Sequence, residues 1–251
     1  VVSSISVTSL YERGDKKPME KGCERMLSDV FGRTLVIAPH ADDEVLGAGG
    51  TIARLASEGA EVRIVIVTEG KPPQYPSEAV SRLRDEARLA HAILGVGKTD
   101  WMGFPAAGLA ETAVSDLNRS LFEIMTAYSP QTLLLPFVGD MHVDHQIVFT
   151  SALVAARPHQ EQYPRLILAY ETLSETNWNA AYVTPSFVPH VFIDIEEHLE
   201  TKLEAMSAFQ SQLRPPPHER AIETLRALAT LRGATVFSQA AEAFVMVRQV
   251  L

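Results

Sequence analysis

Short apolar runs alternate with stretches of helical periodicity along most of this chain, and that alternation constrains the fold more than any other feature. TLVIA (34–38) is a continuous apolar run, as a strand buried on both faces requires. GTIARLASEG then reads as a helix ending at Gly59, and AEVRIVIVTEG as a second strand. SEAVSRLRDEARLAHAILG predicts a long helix with Ser77 as N-cap and Gly95 at its stop. DWMGF is a third strand candidate, VSDLNRSLFEIMTAYSP a helix ended by Pro130, and TLLLP (132–136) a fourth strand. Strands and helices alternating at these lengths predict an α/β domain built on one open, mostly parallel sheet with helices on both faces.

The later segments continue the theme less regularly. RLILAYET, HVFIDI and AEAFVMV read as strands, EEHLETKLEAMSAFQSQL and a segment around 218–231 as helices, and RPPPHER (214–220) as a loop. No internal repeat or linker divides the chain, so residues 31–251 are expected to form a single domain. Residues 1–30 read as an irregular N-terminal extension, with a short helix near Cys23–Val30.

Composition narrows the partners. A chain of 251 residues can bury a full core without staples. Its net charge of −9 gives no overall field that attracts nucleic acid or anionic lipid. With Cys23 the single cysteine, no intramolecular disulfide and no multi-cysteine metal site can form, so a metal would have to be held by histidine and carboxylate. The sequence shows neither a signal-peptide pattern nor an apolar stretch of the ~20 residues a membrane span needs, and a cytoplasmic location is the expectation.

In an open parallel sheet, ligands bind beyond the carboxyl ends of the strands, where the strand order reverses. Two chemically loaded stretches fall at such ends. PHADDEVLGAGG follows the first strand and places Asp42, Asp43 and Glu44 side by side; FVGDMHVDHQIV follows the fourth and holds Asp140, His142, Asp144 and His145. Adjacent carboxylates repel, so a solvated loop, an arginine or a metal ion must compensate them. His40 and His145 with one aspartate would make a two-histidine, one-carboxylate set of the kind catalytic zinc accepts, and iron(II) and cobalt(II) accept it too. The dinucleotide alternative fails on detail, because GAGG is not G-x-G-x-x-G and begins nine residues past the strand. No G-x-S-x-G elbow marks a serine nucleophile.

PHADDE, with the segment that follows it, resembles the first motif of the PIG-L/LmbE-like zinc-dependent de-N-acetylase family. GDMHVDH is similar to its second, His-x-Asp-His. DEARLAHAILG, GFPAAGL, FIDIEEHLETKLEAMSAFQSQ and AEAF follow in the family's order, so the resemblance runs from about Thr34 to the C-terminus. It implies a Rossmann-like sheet, one zinc ion per chain, and hydrolysis of an N-acetyl group from an N-acetylglucosamine-type amino sugar or its conjugate. Carried over by motif position, His40, Asp43 and His145 would hold the metal and Asp42 would be the general base. His142 would stabilise the oxyanion or protonate the leaving amine, and Asp144 would orient His142. Glu44, read from its place alone, would hold the turn or cap the following helix through backbone N–H groups. Family members are often oligomeric, which makes a homo-oligomer an expectation. Two departures fall in the region that reads the sugar. Ala106 stands where relatives often carry an aspartate, and Leu83, between Arg82 and Arg84, where they carry an arginine. Arg82, Arg84 and Tyr170 are the candidate substrate contacts, with Glu171, Trp178 and Asn179 as further possibilities. A zinc amidase acting on another acyl amide or thiol conjugate, and a non-catalytic sugar-binding homologue, are the competing readings.

Overall fold

A computed structural model describes residues 26–251. Seven strands form one sheet in the order β3-β2-β1-β4-β5-β7-β6. β1 (Thr34–Ala38), β2 (Val62–Glu69), β3 (Lys98–Pro105), β4 (Thr132–Pro136) and β5 (Leu166–Tyr170) run parallel, and β7 (Ala241–Gln249) is antiparallel to both β5 and β6 (Val191–Asp194). Seven helices accompany them: α1 (Leu27–Phe31), α2 (Asp43–Ser57), α3 (Ser77–Ile93), α4 (Val114–Tyr128), α5 (Val143–Ala155), α6 (Leu199–Ala208) and α7 (Ile222–Thr235).

The central strands are apolar on both faces because both faces are covered. Side chains alternate across a strand. On one side Val36, Ala38, Ile64, Ile66, Leu134 and Leu168 pack under α2, α3, α6 and α7. On the other, Leu35, Ile37, Val65, Val67, Leu133 and Leu135 pack under α4 and α5. The chain leaves β1 toward β2 and β3, then returns to lay β4 on the other flank of β1. The strand order therefore reverses between β1 and β4, and the two acid- and histidine-rich stretches lie together at that switch point.

The structure revises several boundaries. α2 begins at Asp43 rather than Gly50, so Gly47, Gly49 and Gly50 lie inside the helix. Close packing explains them: a Cβ at Gly47 would stand 2.2 Å from the Tyr170 ring, and one at Gly50 2.6 Å from Ile195. Ser77 is the first helical residue and not the N-cap, which is Pro76. Gly95 does end its segment, at φ +77°. The long helix expected over 196–213 is a 3-10 turn (Glu196–His198) followed by α6, which stops at Ala208. Just beyond, Phe209 is buried in the core, while Ser211 donates its N–H and hydroxyl to the Glu86 carboxylate at 3.0 and 2.5 Å. The last helix lies later than expected, at Ile222–Thr235. The short helix near the N-terminus is α1, and Cys23 lies outside the described residues.

A buried ion pair ties α2 to α6 and β7. Lys202 and Glu242 are each 4% exposed, with Nζ 2.6 Å from Oε1. Glu242 also accepts the N–H groups of Gly50 and Thr51, at 2.9 and 2.7 Å, and Lys202 donates to the Leu46 carbonyl at 2.9 Å. Removing one partner strands a buried charge. Glu242→Ala is expected to lower unfolding stability by about 3–5 kcal/mol in urea titrations. A loss below about 1 kcal/mol, the size of an exposed pair, would show that the pair is not the tie described here.

Candidate metal centre

The site begins where β1 ends. The Pro39 carbonyl accepts both the N–H and the hydroxyl of Thr68, at 3.0 and 2.8 Å, which fixes the turn against β2. Asp42 then adopts φ +119°, a left-handed conformation that costs a non-glycine residue about 1–3 kcal/mol. Its carbonyl starts α2 by accepting the N–H groups of Val45 and Leu46. Fully buried Glu44 holds this turn, accepting the Asp42 N–H at 3.2 Å and pairing with His91 Nε2 at 2.9 Å. Thr99 Oγ1 anchors the other His91 nitrogen at 2.8 Å.

Asp43, first in α2, lies between two imidazoles. Its Oδ2 is 3.2 Å from His40 Nδ1 and 3.2 Å from His145 Nε2. Ligand atoms of a tetrahedral zinc, with bonds of about 2.0–2.1 Å, stand roughly 3.3 Å apart. His145 Nε2 and Asp43 Oδ1 are buried with no hydrogen-bond partner among the described residues. Buried polar atoms are rarely left so, and an unpaired imidazole nitrogen beside a carboxylate with an unpaired oxygen fits a cation held there. The outward nitrogens are already committed: His40 Nε2 lies 3.1 Å from Asp144 Oδ2, and His145 Nδ1 lies 2.8 Å from Asp140 Oδ2. Carboxylates behind metal-binding histidines fix tautomer and ring orientation in this way. A second set, His40, His142 and Asp144, also gathers its ligand atoms within 4.8 Å. It is the poorer candidate, because Asp144 is saturated by His40 and by the N–H groups of Ala107 and Leu109.

The electrostatics agree. Burial opposes charge on both imidazoles, yet the carboxylates prevail: Asp144 and Asp43 lift His40 to about 9, and Asp43 and Asp140 lift His145 to about 10. Burial opposes ionisation of Asp43 too, and the two histidines hold its carboxyl well below the usual range. A field that stabilises two imidazolium protons also suits one dication, which must displace them.

The remaining motif residues surround this cluster. Asp42 is buried, and its Oδ2 accepts from Arg220 Nη1 at 2.8 Å. Burial pushes its carboxyl up to about 7, with the guanidinium acting against that rise. His142 caps α5, its Nδ1 accepting the Asp144 N–H at 3.1 Å, so the ring proton sits on Nε2. Its ring centroid is 4.6 Å from that of His40, and burial, then His40, lowers its pKa. The Asp144 carboxylate binds His40 rather than the His142 ring, unlike the arrangement expected from the motif.

A cavity of about 400 Å³ opens in front of the centre, and Asp42, His142, Glu175 and Arg220 all line it. Arg82 and Arg84 both line it, Arg82 exposed and Arg84 paired with Glu69, and Leu83 and Ala106 form part of the wall. Tyr170 does not reach the cavity. It is fully buried beneath α2, with its hydroxyl 2.9 Å from the Ile37 carbonyl, because its position on β5 faces the core. Glu171 pairs with Arg232, and neither Trp178 nor Asn179 lines the cavity. Arg220 was invisible in the sequence: it lies 178 positions from Asp42, in a loop whose prolines mark only irregular backbone. Glu175 carried no signal either.

The fold and this cluster define an α/β protein with a group that could hold a metal ion at the switch point of its sheet. Residues 35–156 match the family described as PIG-L: GlcNAc-PI de-N-acetylase. An uncharacterized deacetylase of Escherichia coli K12 is 31% identical over 183 residues, covering 70% of this chain and 90% of that protein. The diacetylchitobiose deacetylase of Thermococcus kodakarensis is 28% identical over 216 residues, covering 80% and 78%. Among solved structures, a conserved protein of Thermus thermophilus superposes with a TM-score of 0.72 at 25% identity, covering 87% of this chain and 96% of that one. The chain belongs to the PIG-L family of de-N-acetylases, a family of metal-dependent hydrolases. No helix among the described residues is long and apolar enough to cross a membrane.

Metal uptake by this cluster is expected to release about one to two protons per ion near neutral pH, because both imidazoles hold theirs until the ion displaces them. The sign follows from raised pKa values: apparent affinity rises with pH up to about 9 to 10. Zinc titration calorimetry in buffers of different ionisation enthalpy measures the release. An affinity unchanged between pH 6 and 8 would contradict this account of the ligands.

Proposed function

We propose that this protein is a zinc-dependent deacetylase that hydrolyses the N-acetyl group of an N-acetylglucosamine-type amino sugar or its conjugate. The observation that carries the reading is Asp43 set 3.2 Å from both His40 Nδ1 and His145 Nε2, with its Oδ1 and the His145 nitrogen unpaired, while the outer nitrogens of both rings are already tied to Asp144 and Asp140. The relatives named as deacetylases of such sugars supply the substrate class.

His40, Asp43 and His145 would hold the ion. When bound, zinc polarises a carbonyl oxygen and lowers the pKa of a water molecule toward ~7. The rest of the chemistry belongs to side chains. Asp42, beside a ligand but not in the ligand set, takes the water proton. Arg220 occupies its Oδ2, which fixes the carboxylate plane and leaves Oδ1 for that transfer. His142, neutral and protonated on Nε2, donates a hydrogen bond to the acetamide oxygen as negative charge develops there. The amine departs with a proton, which Asp42 can return after its first transfer. Asp144 contributes by orienting His40 and, through its own N–H, by fixing the His142 tautomer.

Acetate release from N-acetylglucosamine derivatives by zinc-loaded protein tests the reaction directly. Asp42→Asn is expected to lower kcat by about 10²–10⁴-fold while the zinc content stays near that of the parent. Full activity with zinc bound would remove Asp42 from the role of base. Acetate retained alongside release of a longer acyl group would favour the general amidase reading.

Arg220→Met is expected to lower kcat about 10- to 100-fold through a misplaced Asp42 carboxylate, with KM little changed. Arg220→Lys, which keeps the charge, should recover part of the loss. Equal activity of the methionine and arginine proteins would show that the ion pair has no part in positioning Asp42.

A further inference from the structure

The cavity extends well beyond the reacting groups. His40, Asp42 and His142 form one end, beside β1 and β4. The wall on the β3 side is made by Tyr75, Ala79, Val80, Leu83 and Trp101. β3 is two strands from β1, which places this wall roughly 10 Å from the metal ligands at normal strand spacing.

That wall is apolar by construction. α3 carries a stripe at helical spacing through Val80, Leu83, Ala87, Ala90 and Leu94 (the last just past the helix end). Ala87, Ala90 and Leu94 are buried in the core, whereas Val80 and Leu83, both half-buried, bring the stripe out onto the cavity. Tyr75 folds back on Gly70, where a Cβ would stand 2.6 Å from the ring. The Arg84 guanidinium stacks 4.8 Å from the Trp101 ring centroid and pairs with Glu69, so the two charges nearest the wall neutralise each other. Arg82 is exposed.

We propose that this wall is the subsite for the group attached to the amino sugar, and that it takes an aglycone with a flat apolar face, such as an aryl ring. The proposal rests on the deacetylase reading. An acetamide held at His40 and Asp42 directs the remainder of the substrate along the cavity. An apolar ring laid on Trp101, Leu83 and Val80 removes apolar area on both partners from water.

The test uses zinc-loaded protein and deacetylated ligands, which are not turned over. Phenyl and methyl glucosaminides, in both anomers, are titrated by calorimetry. At least one phenyl anomer is expected to bind about tenfold more tightly than its methyl counterpart. Val80→Asn and Trp101→Ala should each pull the phenyl-to-methyl ratio toward one. The ratio is read within one protein, so a change in the folded fraction does not alter it. Equal binding of phenyl and methyl, no binding of any ligand, or a ratio unmoved in both variants would each overturn the proposal. Acetate release from the N-acetylated glycosides is measured in parallel. Release without phenyl preference rejects this subsite and keeps the reaction; phenyl preference without release keeps the subsite and rejects the reaction.

Discussion

Five carboxylates gather around two imidazoles at the switch point of this sheet, and the need to compensate that buried negative charge organises what surrounds it. Asp42, Asp43, Glu44, Asp140 and Asp144 are all almost wholly buried. Each has its own answer. Glu44 has His91, Asp42 has Arg220, Asp140 has His145 and Thr176, and Asp144 has His40 and two backbone N–H groups. Asp43 faces both metal-side nitrogens and keeps an oxygen without a partner. There a metal ion would take the place of the two imidazolium protons.

The fold supplies this arrangement through two strand ends and a cross-tie. Gly47 and Gly50 let α2 lie close to β5 and to the chain beyond β6, which sets the depth at which Asp43 enters the site. Lys202 and Glu242 then hold the middle of the same helix from α6 and β7, so residues 159 and 199 positions from Asp43 help fix its position. Strain at Asp42 is tolerated because both flanks of the turn are pinned, by Thr68 on one side and by Glu44 on the other.

Much of this was legible in the sequence, and the reasons are local. TLVIA and TLLLP read as strands because a run buried on both faces has no polar side to hide, and both fell at the observed boundaries. The two clusters were visible because their residues are near neighbours. The glycines after Glu44 misled the start of α2, since a glycine needed for close packing looks in sequence like one needed for a turn. Tyr170 misled in another way: a tyrosine at a strand end can face the site or the core, and the face depends on pairing register. Arg220 and Glu175 could not be read at all. Their place depends on how loops beyond β5 and α6 return across the sheet, which no short-range pattern encodes. The partner of Asp144 was open for the same reason, since spacing within one motif does not say which ring its carboxylate meets.

The account stands on where the ion binds, and anomalous diffraction at the zinc edge from crystals of zinc-loaded protein tests it most directly. A single strong peak within about 2.0–2.2 Å of His40 Nδ1, Asp43 and His145 Nε2, with Asp42 still on Arg220, is the predicted result. A peak on His142 and Asp144, or none in this cluster, would contradict it.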